Sequence, residues 1–191
     1  MGETNSEFKK IKVGVPQGTI LGPLLFILYI NDLLCRLPKG SILCYADDIA
    51  LIVSEKTWCK AQDRVNLYLQ DIAIWMSLNK LSLNIEKTVF ISFGNYRDSV
   101  PNDFQISDKN IQRVDYCKYL GVTFDFNMKW DIHIDKIINK TKYLIYFFQK
   151  PSKTMSTEIL LMIYYACFNS IATYGIIAWG GAYYGELSLL Q

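Results

Sequence analysis

The sequence predicts an α+β chain, with strands and helices mixed through residues 1–126 and helices alone over 127–191. Two patterns carry that prediction. Short apolar runs bounded by Gly, Pro, Asn or Asp recur up to Phe124 and read as strands. After Asn127 the alternation stops and apolar residues return at helical spacing. Composition agrees: 51% of the 191 residues are hydrophobic and 20% charged, enough apolar side chain for a core and too much for a disordered chain.

The elements follow in order. Lys9 to Val15 alternates weakly and predicts a strand. Gly14-Val15-Pro16-Gln17-Gly18 is a turn bracketed by glycines. Pro23 suits a first helical turn, and Leu24 to Leu37 is apolar nearly all round, so this helix is expected to lie against neighbours on most sides. Pro38-Lys39-Gly40 stops it. Ser41 to Tyr45 and Ile49 to Ser54 form a hairpin around Ala46-Asp47-Asp48. Thr57 caps a long amphipathic helix to Asn79, with Ala61, Val65, Leu69, Ile72 and Met76 on one face and Trp58 and Trp75 in or near the core. Leu81 to Leu83, Thr88 to Phe93, Phe104 to Ser107, Ile111 to Val114 and Tyr119 to Phe124 are strand candidates. In the following helix Ile134, Ile137 or Ile138, Thr141, Leu144 or Ile145, and Phe148 share a face. Tyr143, Tyr146, Phe147 and Phe148 are expected in its core. Ser156 caps a further helix through Phe168.

Several function classes are excluded at this level. The net charge of +2 is no polycationic tail. Five cysteines, odd in number and never spaced C-x-x-C, argue against a disulfide scaffold or a zinc site. Cys44 reads as a small buried hydrophobe. One histidine, His133, leaves no multi-histidine metal centre. Met1 to Phe8 is polar and resembles no secretory signal. Ile159 to Gly185 is 27 residues without a charge, long enough to cross a bilayer, but five Tyr and four Gly favour a buried helix pair interrupted by glycine.

Two constellations carry chemistry. Asp47 and Asp48 are adjacent carboxylates inside apolar runs. Burial would penalise both charges, and a hard divalent cation would relieve the penalty. The plainer reading is an exposed turn, where Asp is simply favoured. The glycine-rich loop from Gly14 to Pro23 lets backbone approach a ligand and leads into a helix start that favours anions. Its plainer reading is a loop into a buried helix.

Together these residues resemble a family. Gly14 to Asp32, followed by Tyr45-Ala46-Asp47-Asp48, closely resembles the reverse transcriptases of non-LTR, LINE-type retrotransposons, most like the jockey group of insects. Gly14-Val15-Pro16-Gln17-Gly18, then Leu21-Gly22-Pro23-Leu24-Leu25-Phe26, resembles motif B, and Tyr45 to Asp48 resembles motif C. Leu81 to Thr88 looks like motif D. Lys118-Tyr119-Leu120-Gly121-Val122 looks like motif E, the primer grip. The resemblance covers the chain from about Phe8 onward.

The resemblance implies roles. Asp47 would bind both Mg²⁺ (or Mn²⁺) ions, with Asp48 a weaker or outer ligand. Pro16, Gln17, Gly18 and Tyr45 would contact template, nucleotide or primer end. Lys87 would serve the pyrophosphate leaving group. Leu120 and Gly121 would steady the primer backbone. The chemistry is two-metal nucleotidyl transfer on an RNA template and DNA primer with deoxynucleoside triphosphates. It implies an intracellular protein of cytoplasm and nucleus, alongside the rest of a retrotransposon polyprotein and not in a membrane.

The chain departs from the pattern before Pro16, where its only acids are Glu3 and Glu7 and no upstream aspartate motif matches. Residues 1–126 therefore read as a partial palm, an antiparallel sheet packed on helices without the upstream motif or fingers. Residues 127–191 read as a helical thumb. On this reading the chain alone does not polymerise, whether as a fragment or as a decayed element. Lys129 to Lys153 holds six Lys against two Asp, and Lys136 and Lys140, one turn apart, suit duplex phosphates; a solvated helix face is the plainer reading. The alternative from another class is a catalytically dead nucleic-acid-binding module. Missing palm strands are expected to leave apolar surface exposed on Leu24 to Leu37 and Ile49 to Val53.

Overall fold

The computed structural model describes residues 14–16, 18–94, 104–106, 109–148 and 155–182. It is a mixture of helices and small sheets, as an α+β chain requires. The chain forms two compact units, Met1–Asn84 with Asp103–Asn110, and Ile85–Asn102 with Ile111–Gln191.

The first unit opens with helix α1 (Leu21–Ile30), continued by a 3₁₀ turn (Asn31–Cys35). A hairpin follows, β1 (Ile42–Tyr45) antiparallel to β2 (Asp48–Leu51), with Tyr45 opposite Asp48. Helix α2 runs from Trp58 to Leu78, and the Thr57 hydroxyl accepts the Lys60 N–H at 3.4 Å, capping it as expected. A short pair, β3 (Val89–Phe90), belongs to the second unit. The pair β4 (Gln105–Ile106) and β5 (Lys109–Asn110) returns to the first.

The core of this unit is Ile30, Leu33, Leu37 and Ile42 against Tyr68, Ile72, Trp75 and Met76. Cys44, Ile49 and Leu51 pack beside it, half-buried. The spacing of Phe26, Ile30, Leu33 and Leu37 gives one packed stripe. The rest of α1 does not lie against neighbours: Leu24, Leu25, Ile27, Leu28 and Tyr29 are exposed, as is Ile52. The expected burial on most sides is therefore not met within the described residues, whereas the expected exposed apolar surface is present. Asp32 finds a partner in the core, accepting the Trp75 indole N–H at 3.2 Å.

In the second unit β3 pairs in parallel with β6 (Gln112–Arg113), and β7 (Tyr116–Tyr119) pairs antiparallel with β8 (Val122–Asp125). Helix α3 spans Asp131–Phe148. Beyond it lie α4 (Thr157–Ile163), a π-helical stretch (Tyr164–Asn169), α5 (Ser170–Thr173) and α6 (Ile176–Trp179). Val122, Trp130, Ile134, Ile137, Ile138 and Trp179 form the core.

Several expectations are corrected here. Tyr119 to Phe124 is not one strand: Leu120 (φ 46°) and Gly121 (φ 85°) both turn left-handed, so the run splits into two strands around a two-residue turn. Leu81 to Leu83 forms no strand, and Thr88 to Phe93 keeps only Val89–Phe90. Gly14 and Val15 form no strand, and Lys9 to Val13 lies outside the described residues. The Ser156 hydroxyl makes no capping bond, and the helix after it gives way to a π turn at Tyr164 before Phe168. The Thr173 hydroxyl donates back to the Asn169 carbonyl at 2.7 Å, and Ser170 returns likewise to Ala166, taking acceptors that a regular helix uses. Gly175 (φ 66°) does interrupt the helical pair. That pair is largely exposed, at Ile159, Leu161, Met162, Tyr164, Tyr165, Ile176 and Ile177. Tyr143 and Tyr146 are likewise exposed, not core. No helix among the described residues is long and apolar enough to cross a membrane.

Candidate functional site

The β1–β2 hairpin positions the two carboxylates. Ile42 and Cys44 point to the core and Leu43 and Tyr45 away from it, by strand alternation. Cys44 pairs with Ile49 on the core side, and Tyr45 pairs with Asp48 on the outer side. The loop is Ala46-Asp47 alone. Ala46 sits at φ 53°, a left-handed position of a two-residue hairpin turn that ordinarily favours glycine. Asp47 is at the tip, Asp48 opens β2, and both are exposed.

This placement corrects one step of the sequence argument. The flanking apolar runs do not bury the carboxylates, so no burial penalty calls for a cation to offset it. What remains is a pair of adjacent exposed carboxylates on a turn of fixed shape. A small hard cation takes about six oxygens at fixed geometry. Among the described residues no group of three or more His, Cys, Asp or Glu could hold a metal. Asp47 and Asp48 therefore suit part of such a shell and do not fit a complete two-ion site.

The loop ahead of α1 is also exposed. Gly18 lies at φ 86°, and the Thr19 hydroxyl donates to the Pro16 carbonyl at 3.0 Å, tying the turn together. A Cβ on Gly22 would stand 3.0 Å from the Thr19 hydroxyl and 3.3 Å from a Val15 methyl, so a larger residue there would push these two side chains aside by a few tenths of an ångström. Gln17 lies outside the described residues. Pro16, Gly18, Tyr45, Asp47 and Asp48 all belong to the first unit.

Lys87, Leu120, Gly121, Lys136 and Lys140 belong to the second unit. Lys87 ends an exposed 3₁₀ turn (Ile85–Lys87). Leu120 and Gly121 are the two residues of the β7–β8 turn. Lys136 is exposed yet engaged: its ammonium donates to the Thr123 hydroxyl at 3.1 Å and stands 5.2 Å over the Tyr116 ring. Lys140 lines an open groove of about 400 Å³ with Asn139, Tyr143, Leu144 and Ile171.

Four residues with no predicted functional role organise this second unit, Trp179 among them being expected as structural. Asp125 is buried, and its two oxygens accept the N–H groups of Lys129 (3.0 Å) and Trp130 (2.7 Å), holding the entry to α3. His133 is buried, and its Nδ1 accepts the Thr123 N–H at 3.3 Å. The proton of the neutral ring is therefore on Nε2, which has no hydrogen-bond partner, while the ring meets Trp179 edge-on at 5.6 Å. Burial, with Lys136 and Lys140 nearby, pushes the His133 pKa below the ordinary imidazole value. Tyr174 reaches the turn from the C-terminal side, a long-range contact that no local pattern announces, and Trp179 holds Tyr174 by donating its indole N–H to the Tyr174 carbonyl. Burial also pushes the Cys44 and Cys117 thiols up, away from nucleophilic use.

Comparison with known proteins adds the following. The family model described as reverse transcriptase (RNA-dependent DNA polymerase) matches residues 1–124. The chain is 29% identical over 188 residues to the RNA-directed DNA polymerase from mobile element jockey of Drosophila melanogaster, covering 91% of this chain and 20% of that one. The jockey enzyme of Drosophila funebris gives the same identity and coverage. A retrovirus-related Pol polyprotein from type-1 retrotransposable element R1 2 of Nasonia vitripennis is 30% identical over 129 residues, 63% of this chain and 31% of that one. The chain thus spans about a fifth of the length of the jockey relatives it matches. No solved structure matches it.

Proposed function

Because this chain belongs to the reverse transcriptase (RNA-dependent DNA polymerase) family, we propose that it supplies the motif B to motif E portion of the RNA-directed DNA polymerase of a mobile element. One observation carries the proposal. Tyr45-Ala46-Asp47-Asp48 is folded as a tight hairpin whose tip presents both carboxylates to solvent. Their turn keeps a left-handed alanine that costs about 1–3 kcal/mol. A turn that only reversed the chain would gain by glycine there.

The roles follow. Asp47, with Asp48 beside it, is this chain's share of the cation-binding set, the cation being Mg²⁺ or Mn²⁺. A bound cation stabilises charge on phosphoryl oxygens, and the complete domain transfers nucleotides with two such ions. Pro16, Gln17, Gly18 and Tyr45 contact template and deoxynucleoside triphosphate. Lys87 offsets charge on the leaving pyrophosphate. Leu120 and Gly121 steady the DNA primer. Residues 1–126 form the palm part and residues 127–191 the thumb part, a division by strand content, since no strand follows Asp125 among the described residues, and not by the two compact units, the second of which joins β8 to α3. The protein works inside the cell, in cytoplasm and nucleus, with the rest of its element's polyprotein.

With no third carboxylate gathered among the described residues, the chain by itself is inactive in polymerisation. The same observation favours the second reading, a catalytically dead nucleic-acid-binding module. Binding of a short RNA–DNA hybrid, followed by fluorescence anisotropy over a range of salt, tests what both readings share. Binding that weakens steeply with salt, and whose salt slope falls by about one on Lys140→Gln, is expected. Binding absent even at low salt would overturn both.

A further inference from the structure

The β7–β8 turn has a difficult shape. Both of its residues are left-handed, and the first is a leucine rather than the Asn or Asp that such turns prefer. A turn of this kind needs an outside hold, and the C-terminal helical corner provides one. The Tyr174 hydroxyl donates to the Leu120 carbonyl at 2.8 Å, across 54 positions of sequence. The Tyr174 ring lies so close to Gly121 that a Cβ there would stand 2.8 Å from its Cε1. Tyr174 is held in turn, because its own carbonyl accepts the indole N–H of the buried Trp179 at 2.9 Å. Gly175, next in the chain, sits against β8, where a Cβ would meet a Val122 methyl at 2.8 Å. Gly121 and Gly175 thus let two backbones approach at the same place.

We propose that Tyr174 is a positioning residue for nucleic acid, setting the Leu120–Gly121 turn in the shape that meets the sugar–phosphate backbone of the primer. This rests on the primer-grip reading of that turn. The chemistry is specific. A carbonyl oxygen aimed at a phosphate repels it, whereas backbone N–H groups attract it. By engaging the Leu120 carbonyl, Tyr174 keeps that oxygen turned from the strand. Its hydroxyl does so from a half-exposed position, so its removal perturbs the turn more than the core.

The test is hybrid binding by the full chain and its Tyr174→Phe variant, with Tyr146→Phe as a control at an exposed tyrosine outside the turn. Tyr174→Phe is expected to weaken the Kd for an RNA–DNA hybrid by about three- to tenfold, the worth of one hydrogen bond. The salt slope stays unchanged, because no charge is lost, and the Gly121 amide resonance moves. Tyr146→Phe binds as the wild type. A Tyr174→Phe chain that binds like wild type overturns the role of Tyr174 and leaves the grip reading standing. A wild type that binds no hybrid overturns both.

A double-mutant cycle keeps the proposal testable should Tyr174→Phe fold poorly. The binding defect of Gly121→Ala should shrink in a Tyr174→Ala background, where the ring no longer opposes the new methyl. A defect of equal size in both backgrounds overturns the clamp.

Discussion

At the scale of single residues, buried polar groups of the second unit carry consequences that no exposed charge does. Asp125 satisfies two backbone N–H groups at the head of α3. Asp125→Ala leaves the buried Trp130 N–H unpaired, while the Lys129 N–H keeps the Asn127 Oδ1 at 3.3 Å, and should lower stability by about 2 kcal/mol and the Tm by about 4–8 °C. Thermal unfolding followed by circular dichroism checks this; an unchanged Tm would show that water replaces the carboxylate at no cost. His133 gives a pH dependence of known sign. Its folded pKa lies below the unfolded value near 6.5, so the unfolded chain takes up the proton first. Stability is full above that value and is lost as pH falls through it towards the folded pKa. His133→Gln, which can still accept the Thr123 N–H, should flatten this part of the stability curve, seen in urea titrations at a series of pH values. A loss of stability in acid that is equally steep in the variant would assign it to other groups. Neither residue's role was legible beforehand. His133 is a lone histidine in an apolar helix face, and only the fold shows that its ring meets a backbone N–H ten residues earlier.

At the scale of elements, local signals read well where the element depends on itself. The long helix α2 follows its apolar period and its Thr57 cap, because both are properties of consecutive residues. Thr57→Ala should cost about 0.5–1 kcal/mol, towards the low end for a cap because the bond is long at 3.4 Å, again read from the urea midpoint. The Asp47–Asp48 hairpin was legible for the same reason: two apolar runs flank two turn residues. The elements misread are those decided by distant partners. The β7–β8 turn hides inside an apolar run because Leu120 is an unusual residue for its conformation, tolerated with Tyr174 against it. Leu81 and Leu83 look like strand residues but pack into the first core without a pairing partner. The exposure of Asp47 and Asp48 agrees with the plainer, exposed-turn reading of the dipeptide and not with the burial reading, since apolar neighbours in sequence are here neighbours along a strand edge rather than a surrounding wall.

At the scale of the whole molecule, the described residues leave apolar surface uncovered in both units. Leu24, Leu25, Ile27, Leu28 and Ile52 are exposed in the first unit, and Leu161, Met162, Tyr164, Tyr165 and Ile177 in the second. Surfaces of this kind are covered in stable proteins. The isolated chain should self-associate, and size-exclusion chromatography should show oligomers at micromolar concentration; a monodisperse monomer would contradict this. The family relation was legible from two short motifs because their residues are dictated by chemistry, and the family match over residues 1–124 agrees. The inability of the described residues to gather a third acid is likewise a property of the whole, beyond any one motif.

The central claim is that the Asp47–Asp48 hairpin is one part of a polymerase centre completed elsewhere. Primer extension on an RNA template annealed to a DNA primer, with Mg²⁺ or Mn²⁺, tests it most directly. Two proteins are compared, each with its Asp47→Asn variant: this chain alone, and this chain joined to the remainder of the jockey relative's polymerase, in place of the stretch it matches. The account predicts no extension by the chain alone, and extension by the joined protein that Asp47→Asn abolishes. Extension by the chain alone, lost in Asp47→Asn, would show a complete centre here and contradict the claim. Extension by the joined protein that survives Asp47→Asn would contradict the place given to the hairpin.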